Sequence, residues 1–216
     1  MALSSKLIAA FFPVTLVVVV LSALVGGTPT KRAPIDRRRR ILEEARHLDG
    51  LSAGEQPQTF AAALGVPPPG GWEDLIARPF SIETREDGTI QTAGVSTCAL
   101  VAREILRRSG LELASLEAPY VPGSAMREIV EVARKTGALH VRDGYEARPG
   151  DLVVLGVGSG DHVATLVALE GDSATTIDGG LVAPDGLQRI GHVTRTRAGI
   201  GASVLVVDVD RLPWKA

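Results

Sequence analysis

From Leu7 to Val25 the chain is apolar at almost every position, and beyond residue 40 the apolar positions begin to recur with regular periods. Nineteen helical residues span about 28 Å, close to the thickness of a bilayer core. The run has no polar face, so it does not read as a helix packed in a soluble core. Two readings of it stand. It is a secretory signal, with Lys6 as the charged start and small residues near Gly26 and Gly27 for cleavage, or it is a retained anchor, which the length of the run favours. Further on, Ile41 to Leu48 has helical spacing, with Asp36 as an expected cap and Asp49-Gly50 as the stop. A short apolar piece follows at Thr59 to Leu64, and Pro67 to Gly71 then breaks the chain.

The main domain is expected to begin near Ser81. Thr97 or Ser96 can cap a helix from Cys98 to Arg108, and Gly110 marks its end. Its spacing predicts Val101, Ala102, Ile105 and Leu106 as the buried stripe, with Arg103, Arg107 and Arg108 in water. A second helix is predicted from Ser124, with Met126, Ile129, Val130 and Ala133 at helical spacing and Gly137 at its end. The pattern then changes to strands at Leu152–Leu155, His162–Leu169 and Ala174–Ile177, with a closing strand over Gly201–Val209. Glu170-Gly171-Asp172 has the character of a hairpin turn. Helices followed by an antiparallel meander make an α+β domain. The organisation expected is 1–30 as signal or anchor, 31–80 as a basic linker with small helices, and 81–216 as the main domain.

Composition narrows the function. With 45% hydrophobic and 22% charged residues the chain is not a disordered polymer. Its single cysteine excludes an internal disulfide, and neither Cys-x-x-Cys nor His-Glu-x-x-His occurs, so no metal or other cofactor is expected. The net charge of −2 divides into +6 over residues 1–40 and −8 over the rest. An acidic body argues against nucleic acid as a partner. The run Arg37 to Arg40 reads instead as a charge cluster beside a membrane contacted through residues 7–25. That run would favour the cytoplasmic side by the positive-inside rule.

The candidate chemistry rests on Cys98 and His162. A thiol reacts as thiolate, and a helix N-terminus or an imidazolium favours that form. The opening N–H groups of the same helix could also receive an oxyanion. An inert, buried cysteine is the alternative. Of the four histidines, His47 lies on a charged helix face, while His140 and His192 lie in short strands or loops with charged neighbours. His162 heads a strand of core residues, where a polar ring needs a partner. Thiolate is one such partner; backbone or water is another. In a hairpin centred on Glu170-Gly171-Asp172, Asp178 comes nearly opposite His162 and could hold the ring's second N–H. Alternatively, Asp178 starts a turn with Gly179 and Gly180. Gln91 is a weaker candidate for an oxyanion donor.

These residues resemble the papain-like NlpC and CHAP (cysteine/histidine-dependent amidohydrolase/peptidase) superfamily of bacterial cell-wall hydrolases. The matching text is Cys98 with its helix, Arg148-Pro-Gly-Asp-Leu-Val-Val154, and His162-Val-Ala-Thr-Leu-Val-Ala-Leu-Glu-Gly-Asp172, over roughly residues 81–185. Departures are Thr97 and Ala99 beside the cysteine, and an Asp where the family more often has His, Asn or Glu. The resemblance implies a papain-like core and a cysteine peptidase or amidase with Cys98, His162 and Asp178 as its catalytic residues. It also implies peptidoglycan or a peptide as substrate, and an exported or membrane-anchored protein of the cell envelope. Two other expectations remain open. One is a catalytically inactive, membrane-tethered scaffold with the same fold. The other is a cytoplasm-facing thiol hydrolase acting on protein or acyl substrates.

Overall fold

A computed structural model describes residues 34–65, 67, 71, 81–84, 90–93, 97–113, 124–141, 144–157 and 160–215. The apolar run at 7–25, Trp72 and Phe80 lie outside these. No helix among the described residues is long and apolar enough to cross a membrane. Residues Ala33–Lys215 form one compact unit. Within it, helices and an antiparallel sheet make an α+β architecture.

Helix α1 spans Pro34–Leu48. It begins before the expected cap: Pro34 takes the first position, where its missing N–H costs nothing, and Asp36 falls inside the opening turn. Ile41, Ala45 and Leu48 are fully buried, one turn apart. Helix α2, Pro57–Ala63, adds Phe60 and Ala63 to the same core. Strands β1 (Ser81–Thr84) and β2 (Ile90–Ala93) form a separate antiparallel pair.

Helix α3, Cys98–Arg108, is the central helix. It contacts α1, helix α4 (Ser124–Thr136) and two strands of the main sheet. The expected stripe is buried, but so are Leu100, Arg103 and Glu104. Arg103 therefore does not face water. A helix enclosed on several sides has no fully solvated face, and its polar groups must pair internally. Glu104 does so with Arg107 and Arg108, each at 2.7 Å.

The main sheet has the order β3-β8-β4-β5-β6-β7, with every neighbouring pair antiparallel. Its strands are β3 (Leu139–His140), β4 (Leu152–Val157), β5 (Gly160–Glu170), β6 (Ser173–Val182), β7 (Gln188–Thr196) and β8 (Leu205–Val207). The continuous apolar run in β4 is explained by burial on both faces. Leu152 and Val154 join the cluster that includes α3, whereas Val153 and Leu155 join a second cluster with Ala164, Leu166, Ala174, Ile200 and Val206. The closing strand is shorter than expected. Thr196 caps a short helix α5 (Arg197–Gly201) through its side chain, β8 follows, and a 3₁₀ turn occupies Val209–Arg211. Strand β7 is longer than the short strand or loop expected around His192, since its alternation is carried by Gln188 and Ile190 among charged and polar neighbours at a sheet edge.

The Pro149-Gly150-Asp151 turn has a structural explanation. Gly150 holds φ at 101°, a left-handed geometry that favours glycine. Asp151 is fully buried. Its carboxylate accepts from the Arg148 amide (2.8 Å), Tyr145 Oη (3.0 Å), the Arg38 guanidinium (2.8 Å) and the Val209 amide (3.3 Å). Arg38 also pairs with Asp208 and Asp210. The cluster thus ties α1 to the start of β4 and to the C-terminal turn. Arg37 lies over the Trp214 ring, and Arg39 pairs with Glu43, so much of the arginine run is engaged within the fold. Asp151→Ala would leave the half-buried Arg38 without its central counter-charge. The expected loss is about 3 kcal/mol of stability, measured by urea unfolding.

Candidate active site

Cys98 is the first residue of α3, 8% exposed, at the margin of the main core cluster. The N-terminal geometry is set from a distance. Thr97 occupies the N-cap position but makes no side-chain cap. Instead, its N–H donates to Oε1 of the fully buried Gln188, at 2.9 Å. The first ladder bond of the helix runs from the Val101 N–H to the Thr97 carbonyl. A helix directs the N–H groups of its opening turn outward from its start, so this end presents positive dipole beside the sulfur.

The β5–β6 hairpin carries the other two groups. Its turn is Gly171-Asp172, with Glu170 paired to Ser173. Ala168 pairs with Thr175, but Leu166 pairs with Thr176, so Val167 is an extra residue in β5. That bulge shifts the register by one, and Asp178 comes opposite Ala164, diagonal to His162 rather than directly opposite it. Without the bulge, Asp178 would face Thr165. Because side chains alternate, it would then project from the sheet face opposite to that of His162. With the bulge, His162 Nε2 lies 2.7 Å from Asp178 Oδ2.

Asp178 is fully buried and further held. The Thr176 hydroxyl donates to its Oδ1 at 2.5 Å. The Arg195 guanidinium, from β7, pairs with its Oδ2 and also donates to Thr176 Oγ1. A buried carboxylate with an arginine, a hydroxyl and an imidazole around it has its desolvation cost offset by each of them. Gly179 follows. A Cβ built there would come within 2.7 Å of the Thr97 carbonyl oxygen and 2.6 Å of Val101, so the missing side chain lets β6 approach the first turn of α3. Asp178-Gly179-Gly180 is thus part of β6 and not the opening of a turn.

The imidazole bridges sulfur and carboxylate. Burial of the His162 ring opposes its charge, but hydrogen bonds to Asp178 and Cys98, and the charges of both, outweigh this and raise its pKa to about 9. Nε2 is the ring nitrogen that meets Asp178. His162 is an imidazolium below about pH 9, and the proton it would donate is lost as pH rises through that value. Any amide hydrolysis at this site should therefore decline above about pH 9, while alkylation of the sulfur continues. Parallel pH profiles of kcat/KM and of iodoacetamide labelling check this.

The structure thus brings Cys98, His162 and Asp178 together. The remaining histidines lie elsewhere: His47 is exposed, His140 stacks on Tyr145, and His192 sits by Asp49. Gln91 falls on β2, but its side chain is outside the described residues. Arg195, Thr176 and Gln188 were not anticipated, because nothing local in the sequence couples them to positions 97 or 178. Among the described residues no group of three or more His, Cys, Asp or Glu is placed to hold a metal ion.

No family model matches this chain, and no curated protein matches it. Among solved structures it is similar to one described as "The crystal structure of Ly7917", at 15% identity, with 79% of this chain and 61% of that chain covered and a TM-score of 0.34. The chain spans less than two thirds of that structure's length, and a likeness of this size carries nothing about activity.

Proposed function

We propose that this protein is a cysteine-dependent amidase or peptidase with a papain-like core, acting on peptide or amide bonds of bacterial peptidoglycan. The convergence of Cys98, His162 and Asp178 carries the reading: a thiol at a helix start, an imidazole in contact with it, and a buried carboxylate behind the ring. The thiolate attacks the amide carbonyl carbon, and the oxyanion is received at the N-terminal amides of α3. The C–N bond breaks as His162 gives its proton to the leaving amine, and a thioester remains on Cys98. Water then attacks the thioester. His162 takes the water's proton, the C–S bond breaks, and acid and thiol are released. Asp178 fixes the ring orientation throughout, and Arg195 and Thr176 fix Asp178.

Cell-wall substrate is the part that rests on resemblance. The apolar run at 7–25 would deliver the domain to the envelope, as a signal or an anchor. The basic residues after that run favour a cytoplasm-facing hydrolase of protein or acyl substrates instead. Arg38 weakens this second reading, because Asp151, Asp208 and Asp210 already hold its guanidinium within the fold. The full chain incubated with purified sacculi should release soluble peptide fragments with new amino groups, seen by chromatography. Cleavage of unfolded protein with intact sacculi would reject the peptidoglycan assignment. An inactive scaffold is discriminated by the thiol alone: Cys98 should be alkylated by iodoacetamide at pH 6, where an ordinary thiol is slow.

A further inference from the structure

A groove of about 650 Å³ opens beside the sulfur, within the usual range for small-molecule sites of about 300–1,000 Å³. Cys98 lines it with the apolar Val154 and Val163 of the sheet and Met126 of α4, and α4 also contributes Arg127, Glu131 and Arg134. Glu131 pairs with Lys135, at 2.7 Å, and also feels the charge of Arg134, while Arg127 and Arg134 are both exposed. Two arginines against one carboxylate leave the α4 wall with one net positive charge.

Position decides which part of a substrate the groove receives. Its described lining includes Cys98 but neither His162 nor Asp178. The leaving amine must depart on the side of His162, which protonates it. The acyl portion stays bonded to sulfur and must extend the other way. We propose that this groove is the acyl subsite, taking an apolar acyl group whose far end carries a carboxylate held by Arg127 and Arg134. The inference rests on the hydrolase reading and adds a substrate class to it: amides of apolar, anion-terminated acyl groups.

Chain length and charge separate the claims. The full chain is assayed with p-nitrophenyl esters of acetate, octanoate and the mono-ester of suberate, an eight-carbon acyl group ending in carboxylate. Expected is a kcat/KM about tenfold or more higher for octanoate than for acetate, from methylenes removed from water. Suberate should be several-fold higher again. In the double variant Arg127→Gln/Arg134→Gln, the suberate-to-octanoate ratio should fall to about one or below. Equal rates for acetate and octanoate overturn the acyl groove, and an unchanged ratio in the double variant overturns the arginine part. Undiminished turnover in Cys98→Ala would instead mean that the hydrolase reading has failed. For that case, mass-spectrometric rates of Cys98 alkylation by iodoacetamide and by N-octyl iodoacetamide test the groove without turnover. A faster octyl reagent supports it, and equal rates overturn it.

Discussion

Cys98→Ala should lower amide hydrolysis on the order of 10⁴-fold or more while leaving the protein folded. No other group of the chain can form the thioester. Cys98 is the single cysteine of the chain, and once it is gone no thiolate stands beside the His162 imidazolium to attack the carbonyl. Residual turnover would come only from the oxyanion site and substrate binding. The fold survives because the change removes only one sulfur from the core. Leu100, Val101, Ile105 and Leu106 continue to hold α3 in place. Loss of one small buried group costs about 1 kcal/mol, a shift of a few degrees in melting temperature. Activity and a thermal melt on the same preparation check both halves. Undiminished hydrolysis by the alanine variant would remove the thiol from the mechanism.

Asp178→Asn should be nearly as damaging, at about 10³- to 10⁴-fold in kcat, by analogy with carboxylates that orient a catalytic imidazole elsewhere. The amide is close in shape to the carboxylate but lacks its charge. Its effect falls on two partners at once. His162 loses a hydrogen bond and a charge that hold its pKa up near 9, so the alkaline decline in activity should move to lower pH. Arg195 loses its counter-ion in a setting where its side chain is only 25% exposed. Breaking such a pair is destabilising, because the remaining charge stays partly desolvated. Arg195→Gln should leave the ring contact in place and cost less in kcat, since the Thr176 hydroxyl still donates to Asp178. A kcat for Asp178→Asn within a few-fold of the parent, with an unmoved pH profile, would show that the carboxylate does not act through the ring.

The elements that carry the site were legible because their signals are local. A helix spanning Cys98–Arg108 follows from apolar spacing and a glycine stop, and α4 ends at Thr136, before Gly137, for the same reason. The Gly171-Asp172 turn and the apolar β4 run are read from a handful of adjacent residues. Less was visible where a position depends on segments distant in sequence. Arg103 has the spacing of a solvent-facing residue, yet α1, α4 and the sheet enclose its helix. Gln188 and Arg195 lie in a strand of mixed polarity, and nothing nearby marks them as the partners of Thr97 and Asp178.

Alone, the amino-acid order marked α3, α4, β4 and the β5–β6 hairpin, with Cys98 at a helix start and His162 near the start of a strand. These are properties of neighbours within about four residues, where backbone hydrogen bonding and side-chain periodicity are decided. Only the tertiary structure decided that Asp178 shares a face with His162. The extra residue at Val167 reverses the parity of the hairpin, and where a bulge settles depends on packing against both faces of the sheet. The same packing closes β6 onto the first turn of α3 at Gly179 and brings Arg195 across from β7, so the surroundings of the carboxylate belong to the assembled sheet and not to any one segment of it.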